Sequence, residues 1–306
     1  MKFSVTIPAF KTKFLEKAIQ SVLNQTYNDF ELIIVDDCSP EDIKSVVDKF
    51  KDKRVRYYRN EKNCGAVRVV DNWNICLSYA TGDYVICMGD DDILTPEALA
   101  EYDRLSNLYP QVNLLHSRVI IINENDEPLT ITPERSEIES HLSFIYSRMQ
   151  GRIQFIGDFC FKTNKLRSIG GFYFLPLAWA SDDISSFLCS DNGVANTNMP
   201  TFLYRVNQYT ISKTGNTDIK LDAINKEQDW YESYFGAYKA DSLIEQLELN
   251  EIKRNLSRSF IKKRGRTVGS KLSESLFSIF KWIYYRKKYR LGSKVFILSI
   301  IEYLKK

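Results

Sequence analysis

Short apolar runs, each closed by polar or turn residues, punctuate the first ninety positions: Phe3 to Ile7, Phe30 to Val35, Val55 to Tyr58 and Tyr84 to Met88. Runs of this length, rich in Val, Ile, Phe and Tyr, predict four strands. Between them apolar residues recur at helical spacing, at Ala18, Ile19, Val22 and Leu23, and again at Ala66, Val70, Trp73, Leu77 and Ala80. Alternating strand and helix predicts an α/β fold on a parallel sheet. Ligands bind such sheets beyond the carboxyl ends of the strands. The segments there are Pro8-Ala9-Phe10, Asp36-Asp37-Cys38-Ser39, Arg59-Asn60-Glu61-Lys62-Asn63 and Gly89-Asp90-Asp91-Asp92.

After Pro110 the pattern is less regular: an apolar strand from Val112 to Ile122, a polar connection from Asn123 to Arg135 and a turn at Gly170-Gly171. From Asp218 onward helix formers dominate. No window of about 18 uninterrupted apolar residues occurs, so no membrane-spanning helix is predicted. The most apolar stretches there are Leu276 to Tyr285 and Val295 to Leu304.

Composition adds limits. A chain of 306 residues, 44% hydrophobic, buries a sizeable core in one large domain or two unequal lobes. The net charge of +3 hides an asymmetry: residues 252–306 carry 16 basic and 2 acidic residues, about +14, which leaves the body at about −11. Six cysteines (Cys38, Cys64, Cys76, Cys87, Cys160, Cys189) lie without any CxxC pair and read as free thiols. His116 and His141 stand in no recognisable nucleophile or metal motif and read as structural. The amino terminus enters a strand without a signal-peptide pattern, so a cytoplasmic protein is expected.

Three consecutive aspartates at a strand end repel one another unless a divalent cation or ordered water lies among them. Asp90-Asp91-Asp92 therefore points to Mn²⁺ or Mg²⁺ completed by a diphosphate, with a solvated acidic turn ahead of Thr95-Pro96-Glu97 as the plainer reading. Asp36-Asp37 can accept hydrogen bonds from a base or ribose; the plainer reading is a helix N-cap by Asp37 or Ser39. Arg68 and Asn72 share a helix face, where Arg68 can pair with a phosphate or with Asp36, or stay solvated. Asp182-Asp183, in Trp179-Ala180-Ser181-Asp182-Asp183-Ile184, lies among apolar and aromatic residues where a carboxylate can act as a base.

Taken in order, Val5-Thr6-Ile7-Pro8-Ala9-Phe10, Ser21 to Thr26, Glu31 to Ser39, Asn63-Cys64-Gly65-Ala66-Val67-Arg68 and Gly82 to Asp92 resemble the family 2 glycosyltransferases. The resemblance is close over residues 3–105 and looser through Gly170-Gly171-Phe172, Asp182-Asp183 and Tyr204-Arg205. It implies a GT-A fold, a single mainly parallel central sheet flanked by helices. The chain is then expected to divide into a nucleotide-sugar-binding half at 1–111, an acceptor-binding half at 112–217 and, outside the resemblance, a helical basic carboxyl-terminal extension at 218–306. The implied activity is transfer of a sugar, with inversion, from a nucleotide-sugar donor to a saccharide or lipid-linked saccharide acceptor in a surface-polysaccharide pathway.

By the same resemblance Pro8, Ala9, Phe10, Asp36, Asp37, Arg68, Asp90 and Arg205 face the donor. Asp91 is the main metal ligand with Asp90 or Asp92 assisting, and Asp183 is the general base with Asp182 beside it. Two positions depart from the family's common pattern: Gly89 replaces an aspartate two positions before Asp91, and Asn207 replaces a histidine after Tyr204-Arg205.

In the basic tail, Leu272, Leu276, Ile279, Phe280 and Ile283 make a helical apolar stripe flanked by Lys281 and Arg286-Lys287-Lys288-Tyr289-Arg290. That pattern predicts docking of 253–306 on an anionic membrane surface, against a core-packing or dimer-forming helix; no motif for nucleic acid accompanies the charge. Two other functions stay open. A nucleotidyltransferase would usually show a Gly-rich phosphate loop after the first strand, which Pro8-Ala9-Phe10-Lys11 lacks. A non-catalytic membrane-associated scaffold would retain the fold while Gly89 and Asn207 mark lost activity.

Overall fold

The computed structural model describes residues 1–207, 216–272 and 274–305. The chain forms two compact units, the first made of Met1–Phe144, Ile153–Phe174 and Ser181–Thr210, the second of Ile145–Arg152, Leu175–Ala180 and Ile211–Lys306. The stretch 208–215, at the end of the predicted acceptor half, lies outside the described residues, as do two positions of the tail, 273 and 306.

The first unit is built on one ten-stranded sheet. Its strands are β1 (Phe3–Ala9), β2 (Phe30–Asp36), β3 (Val55–Arg59), β4 (Tyr84–Cys87), β5 (Ile93–Leu94), β6 (Leu114–Ile122), β7 (Pro128–Ile131), β8 (Ile138–Glu139), β9 (Phe159–Lys162) and β10 (Val194–Arg205). The order is β3-β2-β1-β4-β9-β6-β10-β5, with β7 on β6 and β8 on β10. The predicted parallel pairing holds across β3-β2-β1-β4 and again between β6 and β10. β9 joins these two blocks antiparallel to both, so the sheet is mixed and runs continuously through the boundary expected at 111.

β2 is buried along its whole length, which is why Leu32 to Val35 reads as an unbroken apolar run and not as an alternation. Helices α1 (Leu15–Leu23), α2 (Ile43–Val47), α3 (Val69–Tyr79), α4 (Ala98–Leu108), α5 (His141–Met149), α6 (Thr163–Ser168) and α7 (Ser181–Cys189) follow in chain order. Leu15, Ala18, Ile19 and Val22 of α1 pack into the core with Val5, Ile7, Leu32 and Ile34 of the sheet. At the amino ends of the parallel strands Glu31 ties four segments together: its carboxylate accepts from Ser4 Oγ, Thr81 N and Oγ1, and Arg56 Nη1 at 2.6–2.8 Å. All six cysteines are free. His116 is buried against Asp158 and Arg135, and His141 pairs with Ser190.

In the second unit lie α8 (Thr217–Ala237), α9 (Leu243–Leu272), α10 (Ser278–Tyr284) and α11 (Ser293–Leu304). Leu249, Ile252, Leu256, Phe260, Val268 and Leu272 form the buried stripe of α9. Leu272 thus ends that helix and is not part of an outward stripe with Leu276. α11 crosses α9 at Gly265 and Gly269, where an added Cβ would meet Leu298 Cβ at 2.8 Å and Ser299 O at 2.8 Å. Backbones approach this closely only where the side chain is missing. Among the described residues no helix is long and apolar enough to cross a membrane.

Candidate active site

β1 and β4 are parallel neighbours, so their carboxyl-end loops meet. Asp90 Oδ2 accepts from the amides of Phe10 at 2.7 Å and Lys11 at 2.8 Å, which ties Asp90 to the Pro8-Ala9-Phe10 loop. Burial, and then the charge of Asp91, push the Asp90 carboxyl up to about 6 against those two donors. Ala9 O accepts from Asp37 N, and Phe10 O from Ser39 Oγ, so the loop after β1 is clasped from both sides while the Phe10 ring stays exposed.

Asp91 and Asp92 point elsewhere. Asp91 Oδ2 accepts from Asn207 Nδ2 at 2.5 Å, and Asp92 Oδ1 from the amide of Arg205 at 3.0 Å. Burial raises both carboxyls above the usual aspartate range, and for Asp92 the neighbouring Asp91 adds to it. A Cβ on Gly89 would lie 2.7 Å from Asp91 Oδ1 and 2.9 Å from Asp92 Oδ2. The two carboxylates therefore converge over Gly89, in the space an aspartate side chain would fill.

Arg205, expected to face the donor, is fully buried and engaged inside the fold. Nε donates to Asp91 O at 2.7 Å, Nη1 donates to Asn123 O at 2.9 Å and pairs with Asp126, and the guanidinium lies over Phe14. It is a positioning residue for the aspartate loop. Asn207, the departure from histidine, keeps a polar hold on Asp91.

Asp36 is fully buried, with Oδ1 accepting from Ser39 N and Oδ2 from Tyr57 Oη and Arg59. Arg59 is the register partner of Asp36 on β3, a pairing invisible before the strands are aligned. Asp37 receives the amide of Cys64 and Asn60 Nδ2, and Asn60 Nδ2 reaches Asn72 Oδ1 as well. Neither caps a helix: Asp42 caps α2. Both aspartates fix the loops at the carboxyl ends of β2 and β3.

Arg68 does not pair with Asp36. It precedes α3 in a short 3₁₀ turn over Ala66–Arg68, pairs with Asp71 at 2.5 Å and lies over Phe174, whereas Asn72 is buried. The two do not share a face because the helix proper begins at Val69.

Asp182 and Asp183 open α7. Asp183 is buried and Oδ1 accepts from Gln154 Nε2 at 3.1 Å; Asp182 is half-buried. Tyr204, stacked on Phe155 at 3.6 Å, has its phenol pushed up by burial and then by the charges of Asp92, Asp91 and Asp182. The start of α7 and the aspartate loop thus share one electrostatic neighbourhood around Tyr204. Arg59 and Gln154 are contributors that motif reading gave no role, although Arg59 stood out as a cation at a strand end; Tyr204 was part of the Tyr204-Arg205 stretch but had no role assigned.

Among the described residues no group of three or more His, Cys, Asp or Glu side chains is gathered for a metal. Asp91 and Asp92 would fit a hard cation as a pair: they offer two converging carboxylates whose ionisation burial opposes, and a bound cation would offset that. Mg²⁺ and Mn²⁺ accept such partial protein sets completed by water and phosphate oxygens.

Comparison with known proteins gives the family and the fold. The family model described as Glycosyl transferase family 2 matches residues 4–169. The GalNAc(5)-diNAcBac-PP-undecaprenol beta-1,3-glucosyltransferase of Campylobacter jejuni is 38% identical over 109 residues, 35% of this chain and 35% of that protein. Glycosyltransferase GlyG of Streptococcus pneumoniae is 32% identical over 123 residues, 39% of this chain and 38% of that protein. Each match spans little more than a third of the relative's own length. The crystal structure of residues 1–349 of TarS from S. aureus in complex with UDP-GlcNAc superposes with a TM-score of 0.67 at 16% identity, covering 99% of this chain and 89% of that one. A mannosyltransferase from Pyrobaculum calidifontis, in complex with GDP-Man and Mn²⁺, gives a TM-score of 0.56 at 15% identity over 99% of this chain and 87% of that one. The fold is the expected GT-A type with a helical carboxyl-terminal region.

Proposed function

Because the chain belongs to glycosyl transferase family 2, we propose that it transfers a sugar, with inversion, from a UDP-sugar to a hydroxyl of a saccharide or lipid-linked saccharide in surface-polysaccharide synthesis. The observation that carries this reading is the convergence of the Asp91 and Asp92 carboxylates over Gly89 at the carboxyl end of β4, near Asp182 and Tyr204. A UDP-sugar is supported by the ligand of the TarS complex, and a lipid-linked acceptor by the name of the Campylobacter relative. The bases of the second unit support work at the inner face of the cell membrane.

The chain's own residues carry the reaction as follows. Asp36 and Asp37 hold the β2 and β3 loops in shape for the nucleoside, and the exposed Phe10 ring offers a stacking face for the base. Asp91 and Asp92 would hold Mn²⁺ or Mg²⁺, which when bound would supply positive charge to neutralise the departing diphosphate. Asp183, oriented by Gln154, takes the acceptor proton as the hydroxyl oxygen bonds to the anomeric carbon and the bond to the diphosphate breaks on the opposite face. Asp182 adds negative charge beside the developing oxocarbenium character.

The test is calorimetric titration with UDP, GDP and deoxythymidine diphosphate, each with Mn²⁺ and with chelator, on the intact chain and on Asp91→Ala. Metal-dependent binding of UDP that the substitution abolishes is the expected result. No binding of any nucleotide would overturn the reading and favour a non-catalytic scaffold.

A further inference from the structure

We propose that α10 and the turn after it form a seat for an anionic lipid bilayer, a surface that deepens the reading of a lipid-linked acceptor but rests on the second unit alone. The helix is oriented inside out by its anchors. Trp282 is buried, Tyr289 is buried beside it and donates from Oη to Asp218 Oδ1 at 2.9 Å, and Arg264 Nε donates to Tyr289 O at 3.0 Å.

At 100° per residue Phe280 lies roughly 200° round the helix from Trp282, and Phe277 and Tyr284 continue the line of Phe280. These three are 82%, 69% and 81% exposed for Phe277, Phe280 and Tyr284, with Leu276 and Ile283 flanking them. Water gains nothing from such a row, and a soluble protein leaves one uncovered where something else covers it.

Charge decides what covers it. Lys281, Lys288 and Arg290 pair with Asp218, Asp222 and Asp229, so the bases nearest the helix are neutralised within the unit. Arg286 and Lys287, directly after the aromatic row, are exposed and make no ion pair among the described residues. No acidic residue occurs from 275 to 301. A second copy placed on this face would set cation against cation, whereas an anionic headgroup layer matches it. Seven residues at about 1.5 Å each are far too short to span a bilayer, so α10 lies in the interface with its rings at headgroup depth.

The experiment is flotation of the full chain with vesicles of phosphatidylcholine, with and without phosphatidylglycerol. Binding to the anionic vesicles alone is expected. Arg286→Gln/Lys287→Gln weakens it about 30-fold, as the loss of two juxtamembrane bases implies, and Phe277→Ser/Phe280→Ser weakens it at least as much. These side chains are exposed, so unchanged thermal unfolding checks the fold of both variants. Equal binding to neutral vesicles, no effect of either double variant, or a wild-type dimer that Phe277→Ser/Phe280→Ser splits would overturn the proposal. UDP titration of the same samples keeps the readings apart: lost nucleotide binding with intact vesicle binding sinks the transferase and leaves the seat standing.

Discussion

The guanidinium of Arg205 donates from Nε to the main-chain carbonyl of Asp91 at 2.7 Å. With Nη1 on Asn123 O and Asp126, one side chain locks the aspartate loop to the turn before β7. Arg205→Met takes the side-chain donor from Asp91 O, while Asp126 keeps Lys17 and Asn123 O keeps the amide of Asp126. We expect a loss of roughly 1–3 kcal/mol, the range for leaving a buried acceptor unsatisfied, read from urea unfolding. A loss within ~0.5 kcal/mol, the scale of a surface change, would show that the loop holds itself.

Gly89→Asp restores the family's common aspartate but not its function. Its Cβ enters within 3 Å of both Asp91 Oδ1 and Asp92 Oδ2, which Asn207 and the Arg205 amide hold in place. Metal-dependent UDP binding should weaken at least tenfold, about 1.4 kcal/mol, in calorimetry. Tighter binding would mean that the present site is a defective form of the common one.

Acid should first stabilise the metal-free protein. Asp90 titrates at about 6 in the fold against an ordinary 3.8, so between those values the folded state holds a proton that the unfolded chain has released. Stability therefore falls as pH rises through this window, by roughly 3 kcal/mol for Asp90 at about 1.4 kcal/mol per unit. Asp91 and Asp92 shift in the same direction. Glu31 works oppositely: against the raising effect of burial, the bonds from Ser4, Thr81 and Arg56 hold it at about 2, so its contribution is lost as pH falls below 4.5. Urea midpoints across pH should pass through a maximum at about pH 4, where the two windows overlap, and Mn²⁺ should flatten the upper limb. A midpoint that climbs steadily from pH 5 to 7 without metal would contradict the burial of the aspartate loop.

Asp183→Asn should reduce sugar transfer about 10²–10⁴-fold, the usual weight of a general base, with UDP binding intact. Asp182→Asn should cost less, and Gln154→Leu should shift the pH profile of kcat because it frees the carboxylate that Gln154 orients. If Asp182→Asn is the more damaging substitution, the half-buried neighbour is the base.

What could be read from the sequence was what depends on local pattern. β1, β2 and β4 are largely apolar runs because both sheet faces are covered, and of the expected α1 stripe Ala18, Ile19 and Val22 are buried, with Leu23 only partly so and Leu15 joining them. β7 was hidden inside a polar connection: all four of its residues are exposed, and it is a strand only because β6 supplies its partners. β9 joins the two parallel blocks through three pairs on either side, a register that no local signal encodes. At the site, the motif aspartates stood out by type, but their division of labour did not. Asp90 serves the β1 loop because the parallel register of β1 and β4 brings Phe10 N to it, and Arg59 reaches Asp36 because the two are opposite on β2 and β3.

The sixteen bases beyond residue 251 are only partly a property of the tail. Asp218, Asp222, Glu227 and Asp229, all on α8, pair with Lys281, Lys288, Lys263 and Arg290. A fragment that begins after α8 would therefore carry four more uncompensated bases than the intact chain and cling more strongly to any polyanion, RNA included, in a salt-dependent way. Partner screens made with such a truncation would report the chemistry of the cut.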